Sequence, residues 1–322
     1  MNKRIKITDK VSLPINQETI NEFVPKSSIF ENYNNLFEQL AVAINNRFPI
    51  LLIGETGTGK TSLVRYLANK TRNGFRRVNH NGATTVDDII GKVLINEKGT
   101  YWVDGVLINA MRKGYWYLAD EINAAPADIN FAYHSLLYDD GYIVLSENDG
   151  EIVRPHPDFR FFAAMNPAVD YAGTKEMNKA LLSRFVVFKT DYPTPDIEIK
   201  VLTKRTKIES DVAEKMVKFA TEIRINYGKG KTGFVLSTRD LLQWAKMYKV
   251  YQKYVVSAEM TVLNKTNNED FESIKDLIAL HFKNLDEPLQ EIKKDEEKPK
   301  EDDATEVEVE VGGVGSGLIL SG

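Results

Sequence analysis

Along this 322-residue chain, apolar and polar positions fall into blocks that alternate between strand and helix spacing. Pro49-Ile50-Leu51-Leu52-Ile53 is an unbroken apolar run of strand length, as expected of a strand buried on both faces. Ser62 to Ala68 follows with Leu63, Val64 and Leu67 on one side of a helix. Phe75–His80 reads as a second strand, and Thr84 or Thr85 caps a short helix ending near Gly91. The rhythm then breaks. Val93-Leu94-Ile95, a turn at Asn96–Gly99 and Thr100–Val103 form a hairpin inserted into a helix that resumes over Val106–Arg112.

Tyr115–Ala119 is the third strand, followed by a helix over Pro126–Tyr138 with Pro126 at a tolerated first-turn position. A second hairpin joins Tyr142–Leu145 to Glu151–Val153 through Glu147–Gly150. Phe159–Met165 is the fourth strand, Glu176–Arg184 a short helix and Phe185–Phe188 a fifth strand. Beyond Tyr192-Pro193-Thr194-Pro195 the strands stop. Helices are predicted over Asp196–Arg205, Asp211–Ile225, Thr238–Tyr251 and Phe271–Phe282.

Ahead of the first strand, Pro14 and Pro25 punctuate an extended arm over residues 1–25. Ser27 to Asn46 carries Ile29, Tyr33, Leu36, Phe37, Leu40 and Ile44 at helical spacing. Such a helix could set apolar groups against a purine or simply pack, and both readings stay open. The predicted organisation is an arm (1–25), a large α/β domain (26–192), a small all-helical domain (193–285) and an acidic tail (286–322). The tail is low in core-forming residues and expected to be disordered, with Leu318-Ile319-Leu320 either a docking peptide or a passive end.

Composition narrows the function. The absence of cysteine removes disulfides, thiol catalysis and cysteine zinc sites. His80, His134, His156 and His281 have no metal-ligand spacing. Residues 286–322 carry 12 acidic and 4 basic side chains, so the net charge of −4 hides a mildly basic body of about +4, far from a nucleic-acid-binding stripe. The basic start, Met1–Lys6, lacks the apolar stretch of a signal peptide, and no run approaches membrane-span length, so a cytoplasmic protein is expected.

The candidate chemistry centres on Gly54-Glu55-Thr56-Gly57-Thr58-Gly59-Lys60-Thr61 and the next residue, Ser62. Set between a buried strand and a helix, its glycines let backbone N–H groups wrap a polyphosphate while the helix adds the positive end of its dipole. Lys60 supplies a charge for the β- and γ-phosphates, and Thr61 a hydroxyl for Mg²⁺. Asp120 and Glu121 end the third strand, where open α/β sheets bind ligands. Asp120 suits a magnesium ion held through water, and Glu121 suits activation of an attacking water. Asn166, at the end of the fourth strand, can share that water.

This order of parts resembles an AAA+ ATPase, and the two hairpins make it similar to the MoxR group. Relatives of that group include gas-vesicle, Rubisco-activating and nitric-oxide-reductase-activating ATPases, with midasin and dynein more distant. The resemblance covers roughly residues 26–285 and implies a P-loop NTPase fold: a five-stranded parallel sheet with hairpin insertions, then a helical lid. On the resemblance, Gly54–Thr61 is the Walker A loop, Tyr117–Glu121 the Walker B strand and Asn166 sensor 1. Arg184 stands where the family keeps its arginine finger, and Arg239 where it keeps sensor 2.

The implied cofactors are ATP and Mg²⁺. A finger at the domain rim acts on a neighbour's γ-phosphate, so further copies of the chain are the first expected partners, in a ring such as a hexamer. The second is a remodelled protein, which the resemblance associates with a von Willebrand A-type domain. The hairpins, with Tyr101 and Trp102 on one and Ser146–Gly150 at the tip of the other, are candidate working surfaces. A nucleic-acid motor or loader is the alternative function, and a nucleotide switch without turnover is disfavoured by Glu121, Asn166 and Arg184 together.

Overall fold

The computed structural model describes residues 3–16, 23–26, 29–167 and 177–286, all within one compact unit. Apart from Asp286, the acidic tail with its Leu318-Ile319-Leu320 end lies outside the described residues, as does Glu176, the expected start of a short helix.

Strands β1 (Arg4–Lys6) and β2 (Ser12–Pro14) pair antiparallel. The expected arm is thus extended but docked, with Leu13 fully buried and Arg4 Nη2 donating to Asn45 Oδ1 at 2.9 Å. Helix α1 (Leu36–Asn45) is much shorter than the predicted Ser27–Asn46 helix. Asn34 and Asn35 adopt left-handed φ values of 52° and 54°, which asparagine tolerates and a right-handed helix cannot pass through. Asn32 Oδ1 then accepts the Phe37 N–H at 3.0 Å, serving the first turn. Ile29 and Phe30 stay outside the helix.

The α/β part follows the predicted order: β3 (Ile50–Ile53), α2 (Lys60–Lys70), β4 (Phe75–Asn79) and α3 (Val86–Ile89). Thr85 caps α3 in a reciprocal capping box with Asp88. Next come the hairpin β5 (Gly91–Asn96) and β6 (Gly99–Asp104), then α4 (Val106–Lys113), β7 (Trp116–Asp120) and α5 (Ala127–Leu136). The second hairpin is β8 (Ile143–Leu145) with β9 (Glu151–Val153), followed by β10 (Arg160–Met165), α6 (Lys179–Leu182) and β11 (Val186–Lys189).

Five of these strands form one parallel sheet in the order β11-β3-β10-β7-β4. Its three inner strands are buried almost throughout, which is why they read as continuous apolar runs. Period-two alternation divides their side chains between two cores. Ile50, Leu52, Trp116, Leu118 and Phe162 face one core with Leu40 of α1 and Leu63 of α2. Leu51, Tyr117, Ala119, Phe161 and Ala163 face the other with Met111 of α4 and Tyr133 of α5.

After β11 the chain is helical: α7 (Pro195–Thr206), α8 (Ser210–Gly228), α9 (Thr238–Tyr251), α10 (Tyr254–Thr261) and α11 (Asn268–Phe282). They enclose a third core around Phe219, Trp244 and Phe282. Helix α10 is absent from the sequence prediction. Gln252, at a φ of 52°, ends α9, and Tyr254-Val255-Val256 resumes at once with β-branched residues that carry weak helix propensity. Asp286 accepts the N–H groups of Tyr254 and Val255, the second at 3.0 Å, and so serves the N-terminus of α10.

Candidate active site

The parallel sheet brings the ends of four strands side by side. Met165 pairs with Ile53, while Ala164 and Asn79 flank Asp120. Beside them, the loop after β3 turns sharply into α2. Gly57 has a φ of 82°, and a Cβ there would lie 2.6 Å from Cβ of Ser237; Gly59 has a φ of 95°, and a Cβ there would press on the Phe30 ring at 3.2 Å. Both positions therefore require glycine. Gly59 is the N-cap of α2 and supplies no side-chain acceptor, leaving the first-turn N–H groups for an anion.

Lys60 Nζ donates to the Gly54 carbonyl, to the Glu55 carbonyl at 3.0 Å and to Asn166 Oδ1 at 2.9 Å. Burial pushes its pKa down to about 8, while Asp120 and Glu55 pull it the other way. Thr61 Oγ1 donates to Asp120 Oδ2 at 2.7 Å. Arg77 Nε donates to the same oxygen at 2.8 Å. Glu121 is exposed and holds a left-handed φ of 54°, an uncommon conformation for a residue with a side chain.

These groups surround a cavity of about 570 Å³, within the usual range for small-molecule sites. Its wall includes Thr56 through Ser62, Asp120, Glu121, Asn166 and Arg239. Gly54 and Glu55 lie outside that wall and meet Lys60 through their carbonyls. Arg184 is also apart from it: its guanidinium lies 3.7 Å from the centre of the Tyr138 ring, and its buried Nε has no hydrogen-bond partner among the described residues.

The sequence reading missed Arg77 and Asn79 on β4, Arg205 on α7, and Gln243 and Lys246 on α9, all in the cavity wall. A signal for some existed. Arg77 and Asn79 are two apart on a strand, and Arg239, Gln243 and Lys246 recur at helical spacing on one face. Ile29, Phe30, Pro193, Val201 and Leu242 add an apolar side to the same cavity. A larger groove, about 790 Å³, lies between the two hairpins and α5 and includes Trp102, Phe131 and Tyr142.

Residues 49–185 match a family model described as an AAA domain of the dynein-related subfamily, and residues 198–281 match the CbbQ/NirQ/NorQ C-terminal model. Protein CbbQ of Hydrogenophilus thermoluteolus is 33% identical over 193 residues, covering 60% of this chain and 72% of CbbQ. The chain belongs to the MoxR-like AAA+ ATPases. Within this AAA+ family, the denitrification regulatory protein NirQ of Stutzerimonas stutzeri is 30% identical over 216 residues, covering 67% of the chain and 76% of NirQ. Midasin of Dictyostelium discoideum is 33% identical over 271 residues, 81% of the chain, but the chain spans only 4% of midasin's length. Family membership implies nucleotide binding and accords with the sheet, the phosphate loop and the helical C-terminal region. Among the described residues, no helix is long and apolar enough to cross a membrane.

Proposed function

We propose that this chain is a Mg²⁺-dependent ATPase that assembles into a ring, a hexamer in our reading, and uses turnover in the cytoplasm to remodel or activate a partner protein. The observation that carries the reading is the convergence of Lys60, Thr61, Asp120, Glu121 and Asn166 on one cavity. Residues 26–192 are then the nucleotide-binding domain and 193–285 its lid.

The residues present fit Mg-ATP. The backbone turn at Gly57 and Gly59, the uncapped start of α2 and the Lys60 ammonium suit a polyphosphate. Ile29, Phe30, Pro193, Val201 and Leu242 suit the flat face of a base. Thr61 and Asp120 would hold the cation, which when bound neutralises phosphate charge and polarises the terminal group. Glu121, exposed at the cavity edge, is the base for the attacking water, Asn166 orients that water, and Arg239 reaches the phosphates from the lid.

The stacking of Arg184 on Tyr138, apart from the cavity wall, supports action on a neighbouring copy. The groove between the hairpins, with Phe131 69% and Val144 47% exposed, supports a protein partner; one with a von Willebrand A-type domain is the expected kind.

The test compares wild type with Glu121→Gln. The variant should retain ATP on a filter and release no phosphate, and with ATP it should trap the partner in a pull-down. Hydrolysis by Glu121→Gln at the wild-type rate would overturn the assignment of the base. Stimulation of wild-type turnover by DNA rather than by protein would move the chain to the nucleic-acid class.

A further inference from the structure

A buried ion pair among the helices reaches the phosphate loop at one end and the Arg239 helix at the other. Glu198 on α7 is fully buried, and both Nη groups of Arg224 on α8 donate to its carboxylate at 2.8 Å. Arg224 Nε donates to the Leu236 carbonyl at 2.8 Å. The guanidinium also lies 4.0 Å from the centre of the Tyr192 ring, whose hydroxyl donates to the Thr56 carbonyl of the phosphate loop at 3.0 Å. At the other end, Glu198 Oε1 accepts the hydroxyl of Thr238, the first residue of α9 and the neighbour of Arg239. Ser237, which caps α9, leaves no room for a Cβ on Gly57. The phosphate loop and the start of α9 therefore meet directly as well as through the chain of polar contacts.

A desolvated ion pair is a poor device for stability, because apolar residues of similar volume hold two helices together as well or better. What the pair adds here is geometry. The bidentate fork fixes the guanidinium plane, that plane fixes the Tyr192 ring, and the carboxylate's remaining capacity fixes Thr238. An apolar replacement could pack α7 on α8 but could neither accept the Thr238 hydroxyl nor present a planar cation to the Tyr192 ring.

We propose that Tyr192, Arg224 and Glu198 form a positioning relay that sets the start of α9, and with it Arg239, in register with the phosphate loop at Thr56. The relay rests on the reading of the cavity as the ATP site. Its residues act through the loop and through Arg239, and none is assigned contact with substrate.

The test is a double-mutant cycle on two mild variants, because Glu198→Ala or Arg224→Ala would strand a buried charge and could prevent folding. Tyr192→Phe keeps the ring over Arg224 and removes the hydroxyl that donates to Thr56. Thr238→Val removes the hydroxyl that donates to Glu198 and keeps the side-chain volume at a position that also lines the cavity. Each should weaken binding of a non-hydrolysable Mg-ATP analogue about fivefold, the scale of one neutral hydrogen bond, and should lower kcat when fully folded and saturated. The double variant should be no worse than the weaker single, whereas independent sites multiply their effects.

Effects that multiply, or single variants with wild-type affinity and kcat, would overturn the relay. A purely structural role would lower the melting temperature and leave the kinetic constants of the folded variant unchanged, which also counts against it. Should the wild type bind no nucleotide at all, the function reading fails instead, so the two failures are distinguishable.

Discussion

Lys60 and Asn166 are 106 residues apart in the chain, yet the lysine ammonium donates to the asparagine side-chain Oδ1 at 2.9 Å. The bond joins the start of α2 to the end of β10, the same strand end where Met165 pairs with Ile53 just before the loop. Lys60 keeps two further acceptors, the Gly54 and Glu55 carbonyls. Asn166→Ala should therefore leave the ammonium in place and nucleotide affinity within about threefold of wild type, since two of three bonds survive. If Asn166 orients the attacking water as proposed, turnover should fall by roughly a hundredfold, the scale of misplacing a reacting group by about 1 Å. Filter binding beside phosphate release separates the two effects. Equal losses in both would show that Asn166 serves only to hold Lys60.

Burial lowers the Lys60 pKa to about 8, against the pull of Asp120 and Glu55. The sign follows directly. In the nucleotide-free fold Lys60 loses its proton above about pH 8, while the unfolded chain keeps it to about 10.4. The fold thus gains stability as pH rises through that window, because the unfolded state binds more protons there. On the proposed function, triphosphate binding runs the opposite way, since it draws on the ammonium. Affinity for a non-hydrolysable analogue should be flat below about pH 8 and then fall by up to tenfold per pH unit. Lys60→Arg, charged throughout, should bind more weakly overall but with no such decline. A profile in wild type as flat as in the arginine variant would count against Lys60 as the titrating group.

The sheet and most of the candidate site's wall were legible in the sequence because both are written locally. Ile50–Ile53, Trp116–Asp120 and Arg160–Met165 are apolar runs of strand length, and the residues that matter sit at their ends. The phosphate loop is one continuous segment. Legibility failed where a few backbone angles overrode periodicity. Ile29 and Tyr33 keep helical spacing with Leu36 and Leu40, but the left-handed pair Asn34-Asn35 starts the helix at Leu36. It failed again where the cavity wall is assembled from distant elements. Arg77 meets Asp120 only because β4 lies beside β7, and Arg205 reaches the cavity only through the packing of α7. Local spacing puts Arg77 and Asn79 on one face of a strand but names no partner for either arginine.

Arg184 lies outside the cavity wall, stacked on Tyr138. If it serves a neighbour, two inactive variants should rescue each other. Glu121→Gln lacks the proposed base but keeps Arg184, and Arg184→Ala keeps that base. In a heterologous ring assembled from an equal mixture, about a quarter of the sites would pair an intact Glu121 with an intact neighbouring Arg184. The mixture should recover roughly that share of wild-type phosphate release, while each variant alone is inactive. Should Arg184 act within its own subunit, no mixing ratio would restore activity. Rescue should also vanish on dilution below the concentration at which the ring holds together.

His80 follows β4, almost fully buried, with Nε2 2.8 Å from the Tyr133 hydroxyl, which lies in turn 2.7 Å from the Tyr117 hydroxyl. Burial holds the imidazole neutral and pushes its pKa down to about 4, with Asp120 opposing the shift. An unfolded histidine takes up a proton near pH 6.5. Between about pH 6.5 and 4 the unfolded state therefore binds a proton that the fold refuses, and stability is lost as pH falls through that window. A shift of this size corresponds to about 3 kcal/mol at full extent, on the order of a third of a typical domain's stability. Urea unfolding at pH 7 and pH 5 should show the midpoint dropping in wild type. His80→Leu leaves the Tyr117–Tyr133 hydroxyl pair intact and cannot take up a proton, so its midpoint should drop distinctly less over the same interval. Equal acid sensitivity in the two proteins would move the cause from His80 to the carboxylates.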